Sequence, residues 1–596
     1  MRQSSPSRIF WSTLLLSCPA AAFHAPLLPR QFLPETFDWS AITPTPELQY
    51  HPCYNNTFQC ARLRVPLDWS RPETAETGPH AALGIITLPA TVPVTDPAYG
   101  GPLLINPGGP AGPVAEWVRV YGSWLQGVVD TPGERHHDIV GIDPRGLWRT
   151  TPPAVCYADQ FGRAAAAMAV KRMPSVLTPQ GLRMVTAWNQ GVSRLCEEAA
   201  AADGEDSIFN HMSTASVARD FLEVVERSHE MMMKAGKGKG KRAGGGGGEK
   251  PMLQYLGLSY GSILGSTFAS MFPDRVGRMV VDGIADAEDF NSGQRAMNII
   301  DAEDAIDVFY NICFDAGELC PLYQTTDASA ADIRARIDAF IHSLEETPVS
   351  AIFNNRVFLI SPNFIRSELH KGMYTPIPQF PTIASSLAAA LAGNFTPILS
   401  NPALVNNDNE GAVCADLPDT SPPTVFVSQA EANLGISCGD SQAAAGPRDT
   451  LAWAEATVAR IANQSASLGE TWANLPLNCA GWRFSPPYAF RGPFGSPAPP
   501  PANSSSSAAP MLILSSRIDH VTPLVNAYRL SSLHGGSAVV VQESLGHLAL
   551  TSSVSKCTRG FVKEYLRTGA LPKNGTVCEA DCVPGIPFRE CVGLPP

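Results

Sequence analysis

Charged residues are scarce in this chain. Lysine, arginine, aspartate and glutamate make up 16% of its 596 residues, whereas about a quarter is usual for a soluble protein. This low fraction excludes a highly charged disordered protein, a coiled coil and a halophilic surface. Acidic residues outnumber basic ones, 55 to 43, and the formal net charge of −12 argues against nucleic acid as a partner.

Long apolar runs are also missing. No segment beyond the amino terminus reaches the roughly 18 apolar residues of a transmembrane helix. The first 23 residues instead have the pattern of a secretory signal, because Arg2 and Arg8 precede an apolar run at 9–16 and small residues at 20–22. An uncleaved anchor is the alternative interpretation. We expect a secreted protein without stable membrane insertion.

No two Cys-x-x-Cys pairs stand beside each other, so we expect no zinc site. The sequence indicates no other metal or cofactor, and we expect none. Of the 14 cysteines, 13 remain after removal of Cys18 with the signal, and export predicts that they form disulfides. The odd count predicts one free or intermolecular thiol. Local pairs are expected between Cys53 and Cys60 and between Cys313 and Cys320, and four more cysteines are expected to crosslink the carboxyl end: Cys557, Cys578, Cys582 and Cys591.

Glycosylation motifs give weak support to an exported glycoprotein, because their number is not far above that expected by chance. The five Asn-x-Ser/Thr sequons begin at Asn55, Asn394, Asn463, Asn503 and Asn574.

A phosphate-binding loop is absent, although residues 234–250 contain repeated Gly-Lys pairs. None of these pairs is followed by serine or threonine, and no strand precedes them. Their composition predicts a flexible surface loop.

Short apolar runs that end in turn residues, such as 102–106 and 138–143, are typical of parallel strands that are buried on both faces. Strands and helices alternate up to about residue 285, residues 290–500 have all-helical periodicity, and strands return after a Pro/Ser/Ala-rich linker at 495–510. We therefore predict one α/β fold: a core from 24–289, an inserted helical cap at 290–500, and a second part of the core from 501–596.

The most informative segment is Gly257-Leu258-Ser259-Tyr260-Gly261, which follows a predicted strand and opens a predicted helix. On such a tight turn the serine side chain is forced outward, and the glycines allow close passage of neighbouring backbone. The helix directs its amino end at the position where an oxyanion develops. We predict Ser259 as a nucleophile, with an ordinary Gly/Ser turn as the alternative.

A serine nucleophile requires a base. Three histidines follow the cap: His520, His534 and His547. Only His547 follows a strand, at 538–541, and catalytic groups collect at the carboxyl ends of parallel strands. His534 precedes that strand, and we expect His520 to be solvent-exposed. We predict His547 as the base, the alternative being a structural histidine.

The base in turn requires an orienting acid. Asp519 follows the strand at 511–514 and stands 28 residues before His547, which leaves room for one helix and one strand. Asp282, which follows the strand at 279–281, is the rival. We favour Asp519.

Two backbone N–H groups should form an oxyanion hole. Tyr260, which follows the nucleophile, supplies one. The other should come from the turn at 106–112, where Pro107 and Pro110 have no N–H and Gly109 is the preferred donor over Gly108. A plain Pro/Gly loop is the alternative reading of this turn.

Several motifs together resemble the secreted α/β-hydrolases of the tripeptidyl-aminopeptidase-like group, which are related to proline iminopeptidases of peptidase clan S33. They are NPGGPAG, DIVGIDPRG, GLSYGS, VVDGIAD, SSRIDHVTP, GHLAL and YLRTGALPKNGTVC. The resemblance implies the α/β-hydrolase fold, Ser259 as nucleophile, Asp519 as acid and His547 as base. The turn 143–146 matches one that we regard as structural. The oxyanion turn departs from the family's usual GGPGGSG.

The expected function is that of a secreted serine hydrolase, an exopeptidase that releases amino-terminal residues or short peptides. Such an enzyme holds the substrate's ammonium group with carboxylates, for which the cap offers Glu303, Asp304 and Asp307. Two alternatives remain open: a carboxylesterase or lactonase with the same triad, and a catalytically dead hydrolase fold that serves as an adhesion or binding protein.

Overall fold

The computed structural model describes residues 37–71, 77–234, 250–400, 429–441, 448–497 and 509–595. The predicted signal sequence, residues 235–249 of the Gly/Lys-rich loop and residues 498–508 of the linker lie outside the described residues.

The core is a ten-stranded sheet in which the strands follow the order β1-β2-β3-β5-β4-β6-β7-β10-β11-β12. The pairings among β1, β2, β3 and β5 are antiparallel, and every later pairing is parallel. These strands are His51–Cys53, Phe58–Pro66, His80–Leu88, Tyr99–Asn106, His136–Ile142, Leu253–Leu258, Val276–Asp282, Leu512–Ile518, Ala538–Leu545 and Thr576–Glu579, numbered β1 to β7 and β10 to β12. This mostly parallel sheet with flanking helices is the predicted α/β-hydrolase fold.

Successive side chains of the central strands point to opposite faces of the sheet, so they pack into two hydrophobic cores, one on each face. In β6, Leu253 and Tyr255 join the core on one face, whereas Leu256 and Leu258 join the core on the other. The helices of this part of the chain are α1 to α6, Val114–Val129, Gln160–Lys171, Pro179–Ala200, Thr214–Lys234, Tyr260–Met271 and Ala287–Ser292. The last helices flank the final strands and are numbered α15 to α17, Leu524–Leu533, Ala549–Ser552 and Lys556–Thr568.

The segment between β7 and β10 is mainly helical. Its helices α7 to α14 are Ala302–Ala316, Ala330–Glu346, Pro362–Tyr374, Pro376–Leu391, Thr396–Leu399, Gln429–Asp440, Leu451–Ala462 and Gly469–Leu477. The expectation of an all-helical insertion is wrong, because strands β8 (Val349–Phe353) and β9 (Arg356–Ile360) form an antiparallel hairpin. The hairpin is joined by Asn354 and Asn355, both with positive φ, a residue type that tolerates this turn.

The predicted local disulfides Cys53–Cys60 and Cys313–Cys320 are confirmed, and the carboxyl-terminal cysteines pair as Cys557–Cys578 and Cys582–Cys591. Two longer links join Cys156 to Cys196 and Cys438 to Cys479. Cys414 lies outside the described residues. Within the described ranges, no helix has the length and apolar character needed to cross a membrane.

The turn after β5 is held by a buried cation. The side chain of Arg145 has no exposed surface, and it donates to both carboxylate oxygens of Asp220, at 2.7 and 2.8 Å. It also donates to the backbone carbonyls of Pro66 and Leu67, so this one guanidinium ties the sheet edge to α4. Full hydrogen bonding offsets the cost of burying the charge.

Replacing Arg145 with methionine should therefore lower the free energy of unfolding by about 3–5 kcal/mol, since Asp220 becomes a buried charge without its cation. Urea denaturation measures the change. Arg483→Met is the matched control, because Arg483 is 75% exposed and faces Glu197 at 3.6 Å, and its loss should cost under about 0.5 kcal/mol. Equal effects of the two substitutions would contradict the structural role of Arg145.

Candidate active site

Ser259 stands between β6 and α5 in a strained backbone conformation, φ 56° and ψ −119°. Its N–H donates to the Asp282 carbonyl at 2.9 Å, which fixes the turn against β7. A Cβ on Gly257 would lie 2.4 Å from the Gly261 carbonyl oxygen, and one on Gly261 would lie 2.5 Å from the Asn106 carbonyl oxygen. Both glycines are therefore required by close backbone passage, and the side chain between them is left only partly buried.

His547 and Asp519 are brought together from the loops after β11 and β10. The His547 Nδ1 atom lies 3.0 Å from Asp519 Oδ2, and both side chains are buried. The same carboxylate accepts from the amides of Val521, Thr522 and Leu548 at 2.9–3.0 Å. These contacts fix the imidazole in one orientation and leave its second nitrogen to act on a substrate proton.

The Asp519 carboxylate stays ionised although it is buried. Burial alone raises its pKa, but the charge and hydrogen bond of His547, together with His520 and the Thr522 hydroxyl, outweigh burial and hold the pKa at about 2. Thr522 Oγ1 lies 2.6 Å from Asp519 Oδ2 and 3.1 Å from His547 Nδ1. The sequence pattern did not single out Thr522; its only signal was its position three residues after the acid.

His547 lies at the end of β7, the strand that neighbours the one leading into Ser259. Leu258 pairs with Asp282 in the sheet, so Ser259 follows one strand beside Gly283 on the next. A Cβ on Gly283 would lie 3.5 Å from His547 Cε1 and 3.0 Å from Thr522 Oγ1. The imidazole thus lies over this strand end, next to the serine turn.

Asp282, the rival acid, has a different set of partners. Its two carboxylate oxygens accept the amides of Ala549 and Leu550 at 2.8 Å each, whereas the imidazole hydrogen bonds of His547 within the described chain go to Asp519 and Thr522. Burial raises the pKa of Asp282 to about 6. Asp282 therefore anchors the start of α16, the helix after His547, and does not orient the His547 imidazole.

The expectation that His520 is exposed is wrong. Its side chain is fully buried, because α9 covers it with Tyr374 and His370, whose rings lie 4.8 and 5.1 Å away. Burial lowers the pKa of His520 and lowers that of His370 to about 4, so both rings are neutral at pH 7. Tyr374 also lies 5.1 Å from the His547 ring and accepts the His547 amide with its carbonyl at 3.2 Å.

His534 lies away from this group. Its ring nitrogens contact the hydroxyls of Ser266 at 2.9 Å and Ser496 at 2.8 Å. Burial lowers its pKa to about 4. It is a hydrogen-bonded core histidine.

The Gly-rich turn after β4 lies against the serine turn. Gly108 has φ 109°, and a Cβ there would lie 3.0 Å from Ser259 Cβ and 3.4 Å from the Tyr260 nitrogen. The Gly108 amide donates to Asn106 Oδ1 at 3.0 Å, so it is already engaged within the turn. Gly109 follows with φ 127°, and the two predicted oxyanion donors, Gly109 and Tyr260, thus belong to adjoining turns.

Two of the cap carboxylates considered for an ammonium group are already neutralised. Glu303 and Asp307 both pair with Arg334, whereas Asp304 is exposed. Asp301, which the sequence analysis missed, is partly buried and interacts with the Asp519 backbone amide. Burial, followed by the charges of Asp304 and Asp519, raises its pKa to about 6.

The fold and this arrangement define a serine hydrolase of the α/β-hydrolase class. The family profile described as "TAP-like protein" matches residues 464–578. Tripeptidyl aminopeptidase of Streptomyces coelicolor is 24% identical over 533 residues, which cover 88% of this chain and 84% of that protein. Serine protease Hip1 of Mycobacterium tuberculosis is 26% identical over 555 residues, 89% of this chain and 91% of that protein. The expected resemblance to the tripeptidyl-aminopeptidase-like α/β-hydrolases is confirmed.

Two further matches complete the comparison. Carboxylesterase B of Mycobacterium tuberculosis is 35% identical over 165 residues, 28% of each chain. A solved acetylester hydrolase from Corynebacterium glutamicum is 12% identical with a TM-score of 0.29, and the match covers 86% of this chain and 97% of that one.

The anchoring role of Asp282 predicts that Asp282→Asn is destabilising. An amide has one acceptor oxygen for two backbone N–H donors, so we expect the free energy of unfolding to fall by about 1–3 kcal/mol. Thermal and urea denaturation measure it. Asp315→Asn, at an exposed position of α7, is the control and should change little. An unchanged stability in Asp282→Asn would rule out the anchor.

Proposed function

We propose that this protein is an exported exopeptidase that releases amino-terminal residues or short peptides through a triad of Ser259, His547 and Asp519. The observation that carries the proposal is the buried carboxylate–imidazole pair of Asp519 and His547, at 3.0 Å, beside the strained serine turn. The similarity to tripeptidyl aminopeptidase over most of both chains supports peptide substrates. The described disulfides support export.

In the proposed reaction, Ser259 Oγ attacks the scissile carbonyl carbon while His547 Nε2 takes the hydroxyl proton. The amides of Gly109 and Tyr260 stabilise the resulting oxyanion. His547 then gives the proton to the leaving amine, the C–N bond breaks and an acyl-enzyme remains. A water molecule, deprotonated by His547, then attacks this ester. The bond between the acyl carbon and Ser259 Oγ breaks, His547 returns the proton to Oγ, and the carboxylic acid product leaves.

Asp519 acts in this scheme by holding His547 in one tautomer and by stabilising the imidazolium. Five donors contact the Asp519 carboxylate, and its pKa of about 2 keeps it ionised throughout the reaction. Asp519 therefore does not accept the proton itself.

The proposed exopeptidase needs an anion for the substrate's ammonium group, and we assign that role to Asp301. The partly buried carboxylate of Asp301 lies beside the acid loop and is free of the Arg334 pairing that neutralises Glu303.

A second candidate is a carboxylesterase that uses the same residues. The 35% identity to Carboxylesterase B over 165 residues favours it. Parallel assays of free-amine peptides, amino-blocked peptides and short-chain esters separate the two. Turnover of esters and blocked peptides alone would eliminate the exopeptidase.

The triad is tested by two substitutions. Ser259→Ala should abolish labelling by a fluorophosphonate probe, and Asp519→Asn should lower kcat by about 10⁴-fold because the histidine tautomer is lost. Asp282→Asn, at the rival acid, should retain far more activity per folded molecule than Asp519→Asn. The reverse order, or undiminished turnover in Ser259→Ala, would overturn the assignment.

The role of Asp301 predicts a pH-dependent preference for free amines. A carboxylate whose pKa is raised to about 6 is ionised above that pH, so ammonium binding should strengthen as pH rises from 5 to 7. The ratio of kcat/KM for a free-amine peptide to that for its acetylated form cancels the titration of the triad, and we expect it to rise about tenfold over this range. In Asp301→Asn the ratio should be flat and low.

Glu318→Gln, at an exposed acidic position after α7, is the control and should keep the rise. A ratio that is independent of pH in the unmodified enzyme would remove Asp301 from the amine site. A rise that persists in Asp301→Asn would do the same.

A further inference from the structure

The loop at 293–301, between α6 and α7, crosses the active-site region. At its start, a Cβ on Gly293 would lie 3.2 Å from Ser441 Cβ, just beyond the end of α12. Further along, Asn298 Nδ2 donates to the Val521 carbonyl at 2.9 Å, in the loop that carries the acid. The loop therefore spans from the cap to the Asp519 loop, and Arg295 lies in its first half.

The Arg295 guanidinium stacks on an aromatic ring that neighbours the ring of Tyr260. Its Cζ lies 3.7 Å from the centre of the Phe290 ring. Phe290 is buried and lies 5.6 Å, ring to ring, from Tyr260, whose amide follows Ser259. The cation is thus separated from the nucleophile turn by two aromatic side chains. Stacking on a ring face satisfies none of the five N–H donors of a guanidinium.

These donors have no acceptor among the residues that the structure describes. Arg295 forms no hydrogen bond, and no ion pair within 4.0 Å, with any residue in the described ranges. The two carboxylates in electrostatic range, Asp289 and Asp440, are engaged elsewhere: Asp289 accepts the Met297 amide at 2.9 Å, and Asp440 accepts the Thr214 hydroxyl at 2.6 Å. Nearby Arg448, by contrast, donates to Ser441. Arg295 is therefore a cation without an ionic contact.

The environment favours an anion at this position. Burial raises the pKa of Asp440 to about 7, so its negative charge is reduced at neutral pH, and burial lowers the pKa of Arg295 to about 10, which still leaves the guanidinium charged. The Arg295 side chain is only partly buried, so a ligand can reach it. A poorly solvated guanidinium with open donors binds a carboxylate more tightly than it binds water, because the carboxylate accepts two parallel N–H···O bonds.

We propose that Arg295 binds a carboxylate of the substrate and makes the enzyme selective for peptides that carry one. This inference rests on the proposed function and specifies the substrate class of that same site. The carboxylate has two sources, the free carboxyl terminus of a short peptide and the side chain of an acidic residue. With Asp301 at the ammonium end, a free terminus would let the site hold both ends of a short peptide.

The test compares kcat/KM for matched peptides. One pair differs in a free or amidated carboxyl terminus, and a second pair differs in aspartate or asparagine next to the scissile bond. The pair in which the acid is preferred identifies the source. In Arg295→Gln that preference should fall about tenfold or more, the value of a charge-assisted hydrogen bond. Arg295→Lys should retain part of it, because charge persists while the bidentate geometry is lost.

Arg483→Gln, at an exposed arginine that faces Glu197, is the matched control and should keep the full preference. A purely structural role of Arg295 would lower kcat/KM for acid and amide alike, so the ratio, rather than the rate, carries the result. Equal kcat/KM for acid and amide in both pairs, or a preference that survives Arg295→Gln, would overturn the proposal.

A second measurement tests the carboxylate site independently of exopeptidase activity. The same acids and amides are used as competitors of fluorophosphonate labelling at Ser259, which requires no peptide turnover. Stronger protection by the acids, lost in Arg295→Gln, supports the carboxylate site even where no peptide is cleaved. Equal protection by acids and amides refutes the site and leaves the exopeptidase standing if free-amine peptides are turned over.

Discussion

The hydrogen-bonded pair of Asp519 and His547 is the interaction on which the rest of the site depends. Burying a carboxylate is costly unless donors compensate for lost water, and here loop amides, the Thr522 hydroxyl and His547 all point at it. Because the pKa of Asp519 is lowered to about 2, its charge stabilises the native state fully above the unfolded-state pKa of about 3.9, and this contribution is lost as pH falls towards 2. The acid that orients the base also holds the loop between β10 and α15 in place.

Asp519 and Asp282 show how environment separates two chemically identical residues. Each ends a parallel strand, and each is buried, so position in the sequence alone distinguishes them poorly. Asp519 faces an imidazole and is held ionised. Asp282 accepts two backbone amides, and burial raises its pKa. Chain order identified the candidate acid from the sequence, because Asp519 follows the cap and precedes His547 at a distance that fits α15 and β11, whereas the anchoring role of Asp282 depends on contacts about 267 residues away in the chain.

The sequence predicted those features that depend on residues close together in the chain. The strand before Ser259, the glycines around it and the short disulfide loops follow from residue type and spacing, and the structure has them. The exposure of His520 was predicted wrongly because its cover, Tyr374 and His370, comes from a helix about 150 residues earlier. The hairpin of β8 and β9 was missed inside a segment of helical periodicity, since its strands are five residues each, too short to show a period of two clearly. Asp301 and Arg295 were missed for a related reason: each is an ordinary charged residue of a loop, and only the fold reveals which charges lack partners.

The core and the cap segment contribute different residues to this site. The core carries the proposed triad, because strand ends hold Ser259, Asp519 and His547. The segment after β7 supplies what surrounds them. Tyr374 packs on His547, and the loop from Gly293 to Asp301, which contacts the Asp519 loop, carries one charge of each sign, Arg295 and Asp301. Since charged groups at a partly desolvated site bind opposite charges strongly and reject like ones, a change in this loop would redirect the substrate while leaving the triad untouched.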